Sequence, residues 1–200
     1  TNGHDLPAVA INKSGGSVTL VNNDASQAAS GGALSFSCSA ATSLVLNGRA
    51  WTLGAACTAG NNVTLNVSAG TLNGGQSLTV SGTGVLTHTS GTLTLSGLTH
   101  SSSGASTLGV GTVTVSGALG VSAGSLTQTG LSLVDSVGSI SVTGGSLTWD
   151  SGSAGGSLAV GGAITQTGGT LAFGAKTTTV GNAVTIGAGT LNLGSGSLSL

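Results

Sequence analysis

Few side chains in this chain of 200 residues could carry out chemistry. The residues of catalytic or metal-binding type are Asp5, Asp24, Asp135, Asp150, His4, His88, His100, Cys38 and Cys57. Cleavage of a polysaccharide needs two carboxylates that converge on one bond, and Asp135 and Asp150 are the pair that neighbouring repeats could bring together. Aspartate is also common in turns, where its carboxylate accepts hydrogen bonds from local N–H groups. We therefore predict turn aspartates, no catalytic residue and no enzyme.

The three histidines do not have the spacing of metal ligands. No carboxylate or thiolate lies beside His88 or His100 in the sequence, as a zinc site would require. His88 lies between Thr87 and Thr89, and we predict that it faces outward from a strand. The sequence therefore predicts neither a metal nor a cofactor.

Charged residues are unusually rare. They make up 4% of the chain, and the formal net charge is -1. Lys13, Arg49 and Lys176 are too few and too scattered to neutralise nucleic-acid phosphates or an anionic membrane. No apolar stretch approaches the roughly 20 residues of a spanning helix. We predict no nucleic-acid partner and no membrane insertion.

A short phrase, Gly followed by Thr or Ser and then Leu, repeats along the chain at intervals of about 20 residues. It begins at Gly70, Gly91, Gly124, Gly145, Gly169 and Gly189. A related phrase at Gly111 lies inside the longest gap. This period is typical of a solenoid.

Apolar and small polar residues alternate within each repeat, as in Leu93-Thr94-Leu95 and Val113-Thr114-Val115. A period of two predicts strands that bury one face. The chain also contains 38 glycines. Glycine suits the corners between such strands, because it tolerates backbone angles that other residues avoid. We predict an all-β fold, a parallel β-helix (β-solenoid) over 36–200 with coils of about 20 residues.

Residues 1–35 have a different composition, and we predict an N-terminal cap or docking segment there. Ser17 to Val21 is a candidate strand within it. Cys38 and Cys57 are almost one repeat apart, so stacking on neighbouring coils would bring their Cα atoms within disulfide range. We predict a disulfide between Cys38 and Cys57, and with it an oxidising compartment. Two buried free thiols are the alternative.

The repeated phrase Gly-Thr-Leu-x-Leu/Phe-Gly, seen at Gly169 to Gly174 and Gly189 to Gly194, resembles the β-helical passengers of bacterial autotransporters and filamentous-haemagglutinin-like adhesins. The resemblance covers roughly 61–200. It implies export to the bacterial surface and a role in adhesion, aggregation or coat formation.

The sequence favours a structural extracellular protein, a self-associating subunit or segment of a bacterial surface fibre, sheath or adhesin. The repeat breaks off at Leu200 without a capping sequence, so we expect either that the natural protein continues beyond Leu200 or that this end docks onto a neighbouring subunit, with end-to-end stacking of identical copies as the expected mode of association. A host or abiotic surface, or a glycan, is the other expected partner. The alternative is a binding module with a Thr-rich flat face for ice or glycan. Its candidate pairs are Thr87 and Thr89, Thr92 and Thr94, Thr112 and Thr114, Thr127 and Thr129, and Thr165 and Thr167, which are unevenly spaced along the chain.

Overall fold

The computed structural model describes residues 10–11, 14–19, 34–36, 38, 40–129, 134–149, 156–175 and 177–200. Asp5, Asp24, Asp150, His4, Lys13, Lys176 and most of the predicted cap lie outside these ranges. The described residues form an all-β structure with 24 strands. None of these residues belongs to a helix that could span a membrane.

The strands are short and follow one another through tight corners. In chain order, the first twelve are β1 (Ala10–Ile11), β2 (Gly16–Thr19), β3 (Leu34–Phe36), β4 (Thr42–Val45), β5 (Ala50–Thr52), β6 (Cys57–Ala59), β7 (Val63–Ser68), β8 (Thr71–Asn73), β9 (Ser77–Gly82), β10 (Val85–His88), β11 (Thr92–Leu95) and β12 (Gly97–Ser102). The next twelve are β13 (Ala105–Leu108), β14 (Thr112–Val121), β15 (Ser125–Gln128), β16 (Val134–Val142), β17 (Ser146–Trp149), β18 (Ser157–Val160), β19 (Ile164–Gln166), β20 (Thr170–Phe173), β21 (Thr177–Val180), β22 (Val184–Ile186), β23 (Thr190–Asn192) and β24 (Ser197–Ser199).

The strands pair in parallel with strands about 21 residues before and after them, apart from those at the ends of the ladders, which pair on one side, and this confirms the predicted β-solenoid and its period. The pairing produces three ladders. Ladder A contains β5, β8, β11, the first part of β14, the first part of β16, β18, β21 and β24. Ladder B contains β1, β3, β6, β9, β12, the second parts of β14 and β16, β19 and β22. Ladder C contains β2, β4, β7, β10, β13, β15, β17, β20 and β23.

Residues inside the solenoid form columns along its axis. In ladder C, Leu44, Leu65 and Leu86 stack on consecutive coils, and Leu126, Leu147 and Leu171 continue the column further along. All six side chains are buried. Full burial of one leucine side chain contributes about 1.5–3 kcal/mol, so the columns supply the main apolar stabilisation of the fold.

The Gly-Thr/Ser-Leu phrase marks two different corners of the coil. The copies at Gly70 and Gly91, and the related one at Gly111, precede ladder A strands, whereas the copies from Gly124 onward precede ladder C strands. The longest interval between copies of the phrase therefore arises because the phrase moves from one corner of the coil to another. The length of the coil does not change there. At Gly91 (φ 88°) an added Cβ would lie 2.1 Å from the carbonyl oxygen of Gly70. Only glycine fits where these corners nest.

The ladders also extend into the segment predicted as a cap. β1 pairs with β3 in ladder B, and β2 pairs with β4 in ladder C. The candidate strand at Ser17 to Val21 overlaps β2, which ends at Thr19. Leu20 and Val21 lie outside the described residues.

Candidate functional site

A chain of hydrogen bonds crosses the interior of the coil formed by β12 and β13. The backbone N–H of Leu86 donates to Ser106 Oγ at 2.9 Å. The Ser106 hydroxyl and His100 Nε2 are 3.0 Å apart, and His100 Nδ1 lies 3.0 Å from the carbonyl oxygen of Ala123. The Ala123 carbonyl can only accept, so Nδ1 carries the proton and the Ser106 hydroxyl donates to Nε2.

Ser106 and His100 replace two apolar residues of the interior columns at the same level. Ser106 stands next to Leu126 in the leucine column of ladder C. His100 stands between Val80 and Val121 in ladder B. The smaller serine and the larger histidine offset each other in volume, so the coil stays filled.

A serine bonded to a histidine is the arrangement of an activated nucleophile. Here the Ser106 side chain is 1% exposed and the His100 side chain 0% exposed. Burial lowers the pKa of His100, and the hydrogen bond to Ala123 opposes that shift. The neutral ring links Ser106 of its own coil to the backbone of Ala123 on the next coil, and a substrate does not reach it in this conformation.

A second buried polar group surrounds Asp135 on ladder A. Its Oδ1 accepts the backbone N–H of Val113 at 3.2 Å, and its Oδ2 accepts the indole N–H of Trp149 at 3.1 Å. Asp135 and Trp149 are both fully buried. Asp135 therefore holds interior groups together and does not face solvent as the turn aspartate that the sequence suggested.

His88 is also fully buried, so the prediction that it faces outward is wrong. It follows Leu86 by two residues, and the period of two places both side chains inside. Burial lowers the pKa of His88, while the backbone of Gly91 and the charge of Asp135 oppose that shift. Neither ring nitrogen of His88 reaches hydrogen-bond geometry with a protein group, the nearby backbone of Gly91 included.

The register excludes the predicted disulfide. Cys38 and Cys57 are free, buried thiols. Leu34 is the ladder partner of Cys57, and the N–H of Cys38 bonds the carbonyl of Asn61, so the coil between them is longer than the cysteine spacing. The two cysteines lie four positions out of register, which at about 3.3 Å per residue is too far for a disulfide. Burial raises the pKa of the Cys57 thiol to about 12.

A pocket of about 390 Å³ opens at the corner between ladder C and ladder A. It is lined by His88, Thr89, Thr107, Gly109, Val110 and Thr129. The three threonines are exposed, and Val110 is 51% exposed. None of the lining side chains carries a formal charge when His88 is neutral.

The outer surface of ladder A carries two columns of small side chains, here called the hydroxyl face. The first column is Ala50, Thr71, Thr92 and Thr112 and, beyond the level that Val134 occupies, Ser157, Thr177 and Ser197; the second is Thr52, Asn73, Thr94, Thr114, Ser136, Ala159, Thr179 and Ser199. Thr92 and Thr94 pair directly with Thr112 and Thr114 on the next coil. The hydroxyls of these four threonines have no protein hydrogen-bond partner within the described ranges.

The described residues contain no group of three or more histidine, cysteine, aspartate or glutamate side chains placed to hold a metal ion. Besides His88, His100 and Asp135, sequence reasoning missed six polar side chains that the structure buries: Thr42, Ser102, Ser106, Gln128, Gln166 and Thr178. Gln128 follows Leu126 by two residues and Gln166 follows Ile164 by two. Strict alternation would have found both glutamines.

Comparison with family models, with curated proteins and with solved structures gives no match for this chain. The resemblance to autotransporter passengers and filamentous adhesins therefore rests on the repeated phrase.

Proposed function

We propose that this protein is a structural extracellular protein, a rod-like segment of a bacterial surface fibre, sheath or adhesin that associates with copies of itself. The single observation that carries the proposal is the uninterrupted stacking of coils in three parallel ladders. Such a stack holds a straight extended shape, because each coil is hydrogen-bonded and packed to the coil above and below it.

The outer surface supports association with another copy. Arg49 and Asp135 are the charged side chains within the described ranges, and Asp135 is buried. Small threonine, serine and alanine side chains cover the flat faces. A surface with so little charge produces little repulsion between copies.

Localisation at the cell surface rests on the resemblance of the repeat. The free cysteines remove the disulfide as an argument for an oxidising compartment. An exported adhesive rod remains the role that best fits the repeat and the smooth, nearly uncharged surface.

Sedimentation velocity over a range of concentrations, together with negative-stain electron microscopy, tests the proposal. We expect a concentration-dependent shift to larger species and visible filaments or bundles. An axial repeat equal to the length of one rod would indicate end-to-end stacking, whereas side-by-side rods would indicate lateral packing. Short single rods at every concentration would contradict self-association.

Matched variants separate contact through the faces from nonspecific aggregation. Thr107→Lys with Thr127→Lys adds two charges to the outer surface of ladder C, whereas Thr107→Ser with Thr127→Ser keeps the hydroxyls. If ladder C forms the contact, the lysine pair should lower the association constant at least about tenfold and the serine pair should leave it within about twofold. The corresponding lysine and serine double substitutions at Thr94 and Thr114 test whether ladder A forms the contact.

The hydroxyl face supports a second candidate function, which is binding to ice. The threonine pairs are unevenly spaced along the sequence. In the structure, however, Thr92 and Thr94 lie directly beside Thr112 and Thr114 on the next coil. Their repeats of about 4.8 Å between coils and about 6.8 Å along the strand form a regular array of unpaired hydroxyls. Thermal hysteresis that is lost in Thr92→Tyr with Thr112→Tyr, and kept in Thr127→Tyr with Thr148→Tyr on ladder C, would support this function. Its absence in the unmodified protein would exclude it.

A further inference from the structure

The strands that surround the buried ring of His100 carry no opposite charge. His100 lies on β12, which packs against β9, β14 and β15, and none of these three strands contains a charged or titratable side chain. Within β7 to β15 the other titratable side chain is His88 on β10. The carboxylate of Asp135, on β16, accepts hydrogen bonds from Val113 and Trp149. A proton on His100 would therefore place an uncompensated charge inside the solenoid, which is unfavourable.

The hydrogen bonds of this ring also require its neutral form. Within the described part of the chain, Ser106 Oγ makes two hydrogen bonds: it accepts the N–H of Leu86 and donates to Nε2 of His100. An imidazolium ring carries protons on both nitrogens. Nδ1 would keep its bond to the carbonyl oxygen of Ala123, whereas the Nε2 proton would face the proton of the Ser106 hydroxyl. Protonation therefore breaks the present link between ladder B and ladder C in this coil.

The same interior column contains a side chain that makes similar bonds but does not titrate. Gln166 stands in this column of ladder B, three coils beyond His100. Its Nε2 donates to the carbonyl oxygen of Gly169 at 3.1 Å and to that of Thr190, at the start of β23 on the next coil, at 2.9 Å. A glutamine can therefore hold the corner between ladders B and C as His100 does through Ala123. Histidine adds a group that takes up a proton near neutral pH.

The ring of His100 lies close to two corners at the surface of the rod. β12 and β13 are joined by Ser103, which is exposed, and Gly104. On the next coil, Ala123 follows the exposed Ser122. Separation of these two corners would bring water to the ring while coils further along keep their own ladder bonds. Local opening of this kind requires less free energy than unfolding of the whole chain.

We propose that His100 is a proton-sensing side chain that makes the coil of β12 and β13 an acid-sensitive level of the rod. When Nε2 takes up a proton from solvent, this coil opens at the corner beside Ser103, while coils further along stay folded. Burial holds the pKa of His100 below its ordinary value of 6.5. The open form therefore binds more protons than the closed form below about that pH, and acid favours opening.

Amide hydrogen exchange of dilute protein, measured by mass spectrometry at about pH 7.5 and about pH 5, tests the proposal. After correction for the intrinsic effect of pH on exchange, the rate in residues 97–108 should rise at least about fivefold at the lower pH, because one unit of pKa difference changes the opening equilibrium about tenfold. Residues 157–171 contain no titratable side chain, and their corrected rate should change less than about twofold. Equal acceleration of both segments would overturn the proposal, because it would indicate global unfolding.

Two matched variants identify the group that responds. His100→Gln replaces the ring with the side chain that Gln166 presents in the same column, so the rise in exchange at 97–108 should disappear. His88→Gln removes the other buried histidine and should leave that rise in place. A rise that persists in His100→Gln, or one that disappears in His88→Gln, would overturn the proposal.

A measurement on the unmodified protein keeps the test decisive even if His100→Gln fails to fold, which circular dichroism at neutral pH would reveal. The NMR titration of the His100 ring should follow the same pH range as the rise in exchange at 97–108. A ring that titrates without a change in exchange would overturn the proposal. The inference goes beyond the proposed structural role and does not depend on it, since neither measurement requires the rod to associate.

Discussion

The imidazole of His100 lies 3.0 Å from the hydroxyl of Ser106, and both side chains are buried inside one coil. Ser106 also accepts the backbone N–H of Leu86. One hydroxyl therefore satisfies a histidine nitrogen and a backbone donor from the preceding coil. The stability of this level of the solenoid depends on Ser106 more than on most surface serines.

Ser106→Ala should lower the free energy of unfolding by about 1–3 kcal/mol, because it leaves the Leu86 N–H and His100 Nε2 buried without partners. The midpoint of urea denaturation, followed by circular dichroism, measures the change. Ser125 is an outward serine of the next coil. Ser125→Ala should therefore change the free energy of unfolding by less than about 0.5 kcal/mol, as is usual for surface substitutions. Equal effects of the two substitutions would contradict the network.

The stability of the protein should fall as the pH falls below about 6.5. Burial lowers the pKa of His88 and of His100 from 6.5. Between that value and the folded-state pKa, the unfolded chain binds more protons than the folded protein. The free energy of unfolding should be constant from pH 8 to 7 and should decrease as the pH falls toward 5. Urea midpoints across this range measure the slope.

The double variant His88→Gln, His100→Gln should lose most of that slope, because neither side chain titrates. A steeper or unchanged slope in the double variant would show that other groups control the acid sensitivity. Above about pH 5 exposed carboxylates stay ionised, so they do not contribute to the measured slope.

Asp135→Asn should destabilise the protein by about 1–3 kcal/mol, because an amide offers one acceptor oxygen where the carboxylate bonds two donors. Those donors are the Val113 N–H and the Trp149 Nε1–H. The fluorescence of Trp149 should change at the same time, whereas Ser136→Asn, on the neighbouring exposed position, should change neither quantity. Unchanged stability in Asp135→Asn would mean that the carboxylate is dispensable.

Gly124→Ala should destabilise the protein by at least about 2 kcal/mol, because the left-handed backbone and a close contact both oppose a side chain there. Gly124 has φ 56°, and an added Cβ would lie 2.2 Å from the carbonyl oxygen of Ser102. Gly120→Ala is the control, because open space surrounds the position that its Cβ would occupy. Thermal unfolding of both variants should show a lower midpoint for Gly124→Ala alone. A comparable loss in Gly120→Ala would argue against corner nesting as the cause.

Both cysteines should be free and protected in the folded protein. Cys38 and Cys57 are buried, and the thiol of Cys57 has a pKa of about 12. Little of the reactive thiolate is therefore present at neutral pH. Mass spectrometry after iodoacetamide treatment without reductant should show slow labelling of native protein and two adducts after denaturation. If the denatured protein carries no adducts, the two cysteines form a disulfide and the assignment as free thiols is wrong.

The repeat and the alternation were sufficient to predict the fold, because both follow directly from how a coil buries one side of each strand. The phrase at Gly70, Gly91, Gly124 and later positions gave the period but concealed a change of corner after Gly111. One glycine-led phrase fits both corners, since each needs a small residue before a strand. Sequence spacing therefore could not assign copies of the phrase to ladders.

The interior polar groups were harder to predict than the fold. His88 follows the alternation from Leu86, yet its two threonine neighbours suggested an outward position. Ser106 and His100 become partners only when the geometry of the corner between β12 and β13 is known. The same uncertainty led to the wrong disulfide, because a coil longer than the cysteine spacing moves Cys57 beside Leu34.

Each coil buries its apolar side chains only against its two neighbours and repeats after about 21 residues. An in-frame duplication of a coil whose interior is wholly apolar would therefore extend the same ladders and apolar columns by one level. The number of coils can change by recombination between repeats without redesign of the core. Length, and with it the distance that the rod spans, is a quantity that evolution or a protein engineer can adjust in steps of a single repeat.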